Sequence, residues 1–215
     1  MITLYHYPSN ASFAPHVLLH ELGLPFTLAL VDRAADAQRS PEYLKLNPNG
    51  LIPVLVDGDI VLHETAAICM HLCDRQSSLA PRIATAERAQ YTKWMFWMSN
   101  TLQSMLIHYF YPDRFVDAGN VDGAAQVKRH AEARITPMLQ QIDDLLAAHG
   151  GPWLLGTDYA GADPMAFMLC RWTRGFANSR PAREYPHIGP YLKRVFERPA
   201  VQKAVATEGL AAPFY

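Results

Sequence analysis

The spacing of apolar and polar residues changes character near Pro81. Before it, short apolar runs alternate with turn residues. Ile2-Thr3-Leu4-Tyr5-His6 is rich in β-formers and predicts a strand. Tyr7 to Ser12 is a turn cluster, and Ser12 is placed to N-cap a helix with Pro15 in its first turn. Val17, Leu18, Leu19 and Leu22 give that helix its apolar content, and Gly23 stops it ahead of Pro25. Phe26 to Val31 predicts a second strand, completing a βαβ opening. Arg33 to Arg39 is polar loop, and Pro41 to Leu46 a short helical turn. Ile52 to Val56, the Asp57-Gly58 turn and Ile60 to His63 predict a hairpin. Thr65 to Leu72 predicts the helix that follows.

Beyond Pro81 nearly every segment has helical period. Thr85 to Phe110 predicts one long helix, and His130 to His149 another, with Ile135, Met138, Leu139, Ile142, Leu145 and Leu146 on one face. Asp163 to Phe176 is apolar almost all round, which predicts a central, buried helix. Ile188 to Arg198 and Ala200 to Thr207 complete the set. The expected organisation is α+β: a βαβ–ββα domain over 1–76, a linker over 77–84, and an all-helical domain over 85–215.

Composition narrows the function. Half of the 215 residues are hydrophobic, enough for a sizeable core. Nineteen basic and twenty acidic residues leave a formal net charge of -1, which gives no electrostatic case for nucleic acid or an anionic membrane. The opening MITLYHYPSN lacks the basic and apolar regions of a signal peptide, and no segment approaches a membrane span. Cys69, Cys73 and Cys170 show no disulfide spacing and are expected as small buried hydrophobes. His16 and His20 share a helical face without a metal-binding pattern around them. A reduced cytoplasmic protein without a metal fits this composition.

Two places carry chemistry. At Ile52-Pro53 the proline removes a backbone donor and holds Ile52 extended. With that bond cis, the Ile52 backbone would face outward and pair with a peptide-like ligand. Glu64 and Thr65 stand where a helix begins and where free N–H groups can bind a carboxylate.

The whole chain resembles the glutathione transferase superfamily, nearest to bacterial members of the beta class. The match is carried by Leu4-Tyr5-His6-Tyr7-Pro8, by Pro15-His16-Val17-Leu18-Leu19 with Gly23-Leu24-Pro25-Phe26, by Asn47 to Leu55 and by Glu64-Thr65-Ala66-Ala67-Ile68. In the second half it is carried by Leu154-Leu155-Gly156 and Ala162-Asp163. The resemblance implies a thioredoxin-like first domain and glutathione as co-substrate. It implies that Ile52, beside the family's cis-proline at Pro53, pairs with the cysteinyl part. Glu64 and Thr65 would hold the γ-glutamyl end, with a lesser part for Asn49. It further implies a cytoplasmic homodimer that detoxifies small hydrophobic electrophiles.

The thiolate is the nucleophile, so the site needs hydrogen-bond donors beside the sulfur. The loop Ser9-Asn10-Ala11-Ser12 supplies them. Ser12 is the first candidate, followed by Ser9 and Asn10, with Tyr5 and Tyr7 as further donors. The electrophile is expected between the domains against Met105, His108, Tyr109 and Trp172, under the C-terminal Pro213-Phe214-Tyr215.

Two departures stand out. Beta-class members carry a loop cysteine where this chain has Ala11, so a mixed disulfide with glutathione cannot form there. The family's hydroxyl before the buried helix is replaced by Ala160, leaving Asp163 without that partner; Gly161 or Thr157 could compensate. An alternative function is a glutathione-dependent isomerase of the maleylacetoacetate type, for which Arg114, Arg171 and Arg174 could supply charge. Another is a non-catalytic regulatory scaffold.

Overall fold

A computed structural model describes residues 1–76 and 79–215. Ser77 and Ser78, which open the expected linker, lie outside the described residues. The first half forms a four-stranded sheet in the order β2-β1-β3-β4. β1 (Ile2–His6) runs parallel to β2 (Phe26–Leu30) and antiparallel to β3 (Val54–Asp57), which pairs with β4 (Ile60–His63). The period of two along β1 buries Ile2, Leu4 and His6 on one face. Tyr5 points to the other face, where Val31, Tyr43 and Val54 form a separate small core under α2 (Pro41–Leu46).

On the first face lie α1 (Phe13–Glu21) and α3 (Thr65–Gln76). The second half holds α4 (Ala86–Trp97), a π-helical segment Met98–Gln103, α5 (Ser104–Phe110), α6 (Val121–His149), α7 (Ala162–Trp172), α8 (Ile188–Phe196) and α9 (Pro199–Thr207). α1 is buried from Phe13 to Leu19 because α3, α7 and α9 pack around it. Its all-round apolar character follows from that position. One continuous core therefore joins both halves, from Leu4 and Leu18 to Phe167 and Leu192.

Several boundaries differ from the sequence expectations, each for a local reason. β3 starts at Val54, after Pro53, which has no N–H to give the ladder. The long helix expected over Thr85–Phe110 contains a π-helical segment between α4 and α5. α6 begins at Val121, where the Asn120 side chain accepts the Gly123 N–H at 2.8 Å. Its first turns are polar and solvent-facing, so they carry no apolar period. α7 ends at Trp172 and tightens into a 3-10 turn over Thr173–Gly175.

Asp163 is completely buried at the start of α7. Its two oxygens accept the backbone N–H groups of Leu154 and Ala160, each at 2.8 Å, and the Tyr191 hydroxyl donates at 3.0 Å. The partner absent at Ala160 is thus replaced by Tyr191, not by Gly161 or Thr157. Burial raises the Asp163 carboxyl to about 6.

Candidate active site

A cleft of about 450 Å³ lies between the two halves. One wall is the loop Pro8-Ser9-Asn10-Ala11, and another is Gly50-Leu51-Ile52. Gln103, Ile107, Phe110 and Tyr111 come from the second half, with Trp172 and Arg174 beside them.

The Gly50–Ile52 wall is built from behind. Tyr43 Oη and Asn47 Nδ2 both donate to the Leu51 carbonyl at 2.8 Å. Burial pushes the Tyr43 hydroxyl upward, so it stays a donor. Gly50 has φ +61, and a Cβ built there would lie 2.9 Å from Arg39 Nη1, so both the turn and the arginine need glycine. The Ile52-Pro53 bond is cis. Among the described residues nothing pairs with the Ile52 amide or carbonyl. A cleft with an unpaired amide and carbonyl on one edge suits an extended peptide.

The opposite loop is held by two distant residues. Ser9 has φ 61, in the left-handed region. Its N–H donates to Glu208 Oε2 at 2.8 Å, and its hydroxyl accepts from Arg171 Nη1 at 2.7 Å. Glu208 is buried at the end of α9, where its other oxygen lies 2.9 Å from His16 Nδ1. Burial lowers Arg171 to about 10, and the neighbouring Arg174 charge adds to the shift. Asn10 Oδ1 accepts the Ala11 N–H at 2.6 Å, which leaves the Asn10 amide N–H groups for a ligand.

The geometry sorts the expected donors. Ser9 and Asn10 line the cleft. Ser12 does not, and this corrects the expectation that placed it first. Its hydroxyl is fully buried, donates to the Tyr7 carbonyl at 3.1 Å and accepts the Tyr7 N–H at 3.3 Å. It makes no side-chain cap to α1 either. Tyr5 packs edge-on against Tyr43 on the far face of the sheet, away from the cleft. Tyr7 is covered by the Arg33 guanidinium, 5.4 Å from its ring centroid.

Thr65 is buried and does not line the cleft; it stands behind Ala11, with Oγ1 donating to the Ala11 carbonyl at 3.3 Å. Glu64 precedes it, exposed, with φ 74 and its carbonyl accepting the Ile68 N–H. Asn49 is exposed beside the Gly50 wall but does not line it.

Of the expected electrophile contacts, only Trp172 reaches the cleft. Met105 and His108 open onto a separate groove with Val127 and His130. His108 is stacked on Phe115 and bonded to the Ser104 carbonyl. Tyr109 is buried against Phe176. The π-helical segment between α4 and α5 hid this register from a uniform helical reading. Phe214 stacks on Phe196 and Tyr215 lies against Phe167, so the C-terminus packs on α7 and α8 and does not fold over the cleft.

Sequence reasoning missed Asn47, Tyr43 and Glu208 as supports. Asn47 lies in the Asn47–Leu55 stretch, but its burial and its bond to the Leu51 carbonyl appear only in the fold. Glu208 carried no local signal, because it acts across 199 positions of chain.

Comparisons with known proteins give the family. Residues 8–75 match the family description "Glutathione S-transferase, N-terminal domain", and residues 109–208 match "Glutathione S-transferase, C-terminal domain". The chain belongs to the glutathione S-transferase family of enzymes. It is 31% identical over 214 residues to glutathione S-transferase 3 of Zea mays, covering 91% of this chain and 89% of that one. It is 28% identical to glutathione S-transferase GstA of Escherichia coli, covering 96% and 98%. A glutathione transferase homologue from Sulfitobacter, solved with bound glutathione, superposes with a TM-score of 0.85 at 27% identity, covering 98% and 99%.

Proposed function

We propose that the cleft binds glutathione and directs its sulfur onto an electrophile seated against Ile107, Phe110 and Trp172. The observation that carries this reading is the unpaired Ile52 amide and carbonyl facing the Ser9-Asn10-Ala11 loop across one cleft. Ile52 takes the cysteinyl backbone. Glu64 and the N-terminal N–H groups of α3, beside Thr65, take the ammonium and carboxylate of the γ-glutamyl end. Arg39, over Gly50, takes the glycyl carboxylate. The bound glutathione of the Sulfitobacter homologue supports glutathione as the ligand.

Ser9 is the thiolate donor in this reading. Its oxygen already accepts from Arg171, so its own hydrogen is free for the sulfur. The Asn10 amide is the second donor. The thiol proton leaves to solvent, the sulfur forms a bond to the electrophilic carbon, and the leaving group departs with its electron pair. Ala11 lines the wall where a loop cysteine would stand, which supports transfer over disulfide chemistry. Cys69, Cys73 and Cys170 are buried, and burial raises all three thiols, so none competes as a nucleophile.

The expected result is retention on immobilised glutathione together with a thioether product from an activated aryl halide. A protein that is not retained contradicts the reading. The family resemblance also supports a cytoplasmic, detoxifying homodimer. Among the described residues no helix is long and apolar enough to cross a membrane. Light scattering should return twice the chain mass, and a monomer would remove the dimer from the proposal.

A further inference from the structure

The cleft is unbalanced in charge. Arg33, Arg39, Arg114 and Arg174 line it, and among the described residues no aspartate or glutamate does, in a chain whose formal net charge is -1. None of the four forms an ion pair with a carboxylate among the described residues; the recorded arginine pairs belong to Arg75, Arg88, Arg183 and Arg198. Arg33 and Arg114 converge on one ring. Their guanidinium carbons lie 5.8 and 4.1 Å from the Tyr111 centroid, and Arg33 Nη2 donates to the Tyr111 hydroxyl at 3.1 Å. Two guanidinium groups on one tyrosine, neither in an ion pair with a carboxylate among the described residues, suit an anion. Arg174 adds a third charge beside Trp172.

Glutathione accounts for only part of this. Its glycyl carboxylate falls to Arg39, and its glutamyl end to Glu64 and Thr65. Arg33, Arg114 and Arg174 are left over on the side formed by Phe110, Tyr111 and Trp172. Guanidinium groups match a planar carboxylate, and the aromatic side chains match a flat apolar body.

We propose that the second substrate is an anion: an aromatic or unsaturated electrophile carrying a carboxylate, gripped by Arg33 and Arg114 with its body against Phe110 and Trp172. This rests on the glutathione-transfer reading above and names its substrate class. For an aryl chloride the sulfur bonds to the ring carbon, chloride leaves with its electron pair, and the thiol proton goes to solvent.

The test compares a chloronitrobenzoate with its methyl ester, each rate divided by the uncatalysed reaction with glutathione. The acid should be preferred by about tenfold or more, the scale of one lost charged hydrogen bond. Arg114→Gln, at an exposed position, should collapse that preference toward parity while the Kd for glutathione is held. Arg33→Gln is the second variant and should do the same. Equal rates for acid and ester, or a preference for the ester, overturn the proposal. So does a variant that weakens glutathione itself by the same factor, because the arginine then serves glutathione. Turnover of the ester with bound glutathione in those cases leaves the transfer reading standing. Loss of glutathione binding in the unmodified protein removes both. Isomerisation of an unsaturated cis-dicarboxylate, with glutathione recovered unchanged, supports the anion site and contradicts net conjugation.

Discussion

Ser9 and Ser12 are the same residue type three positions apart, and their surroundings assign them different work. Ser12 has both hydrogen-bonding directions closed by the Tyr7 backbone. Ser9 keeps a free hydrogen in the cleft, because its oxygen is an acceptor for Arg171. Ser12→Ala should therefore cost stability, about 1–3 kcal/mol in urea unfolding, for leaving the Tyr7 N–H without its partner, while the Tyr7 carbonyl keeps the Asn10 N–H at 3.2 Å. It should leave the bound thiol's titration in place; a raised thiol pKa with unchanged stability would contradict the geometry. The serine-rich loop itself was legible in the sequence. Which hydroxyl faces the cleft was not, because Arg171 and Glu208 reach Ser9 across 162 and 199 positions of chain.

At the scale of elements, α7 shows how the fold tolerates a missing cap. Asp163 gathers the Leu154 and Ala160 N–H groups and the Tyr191 hydroxyl in full burial. Asp163→Ala would strand the two N–H groups and leave the Tyr191 hydroxyl only the backbone carbonyl of residue 163 at 3.4 Å, and we expect a loss of about 2–5 kcal/mol by urea denaturation, with circular dichroism confirming a folded product. A loss below about 1 kcal/mol would show that water replaces the carboxylate there. The order βαβ–ββα and then helices was readable from the apolar spacing and the turn residues, and the all-round apolar run from Asp163 marked α7 as central. The π-helical segment was not readable, since its apolar residues Met98 and Leu102 keep a helix-like spacing. That segment turns Gln103 and Ile107 to the cleft, while Met105 and His108 open onto the neighbouring groove.

Across the whole molecule, the sheet, α1 and α9 meet at a histidine cluster under the Ser9 loop. His16 contacts Glu208, and His6 and His20 lie 6.3 and 5.0 Å from it by ring centroid. Burial, more than neighbouring charge, lowers both His6 and His20, the latter to about 4. A folded-state pKa below the unfolded value of 6.5 means the unfolded chain takes up protons first. Stability from these two groups is thus present above 6.5 and is lost as pH falls below it, for His20 toward about 4. Asp163 has the opposite sign: raised from 3.8 to about 6, it favours the folded state as pH falls through that window. Comparison with His20→Leu isolates the histidine part. The urea midpoint of the variant should fall less between about pH 7 and about pH 5 than that of the natural chain, and an equal fall would contradict the sign. Composition and charge indicated a sizeable core but concealed the cleft's arginines. They are spread along the sequence from Arg33 to Arg174 and come together only in the folded chain.

The central claim is that the Ser9 loop holds glutathione as a thiolate, and the bound thiol's own titration tests it most directly. Followed by thiolate absorbance, the complex should titrate about one unit or more below the free thiol's value near 8.5, with Ser9→Ala restoring much of the difference. An unshifted titration in the natural protein, or a shift that survives in Ser9→Ala and vanishes in Ser12→Ala, would contradict the account.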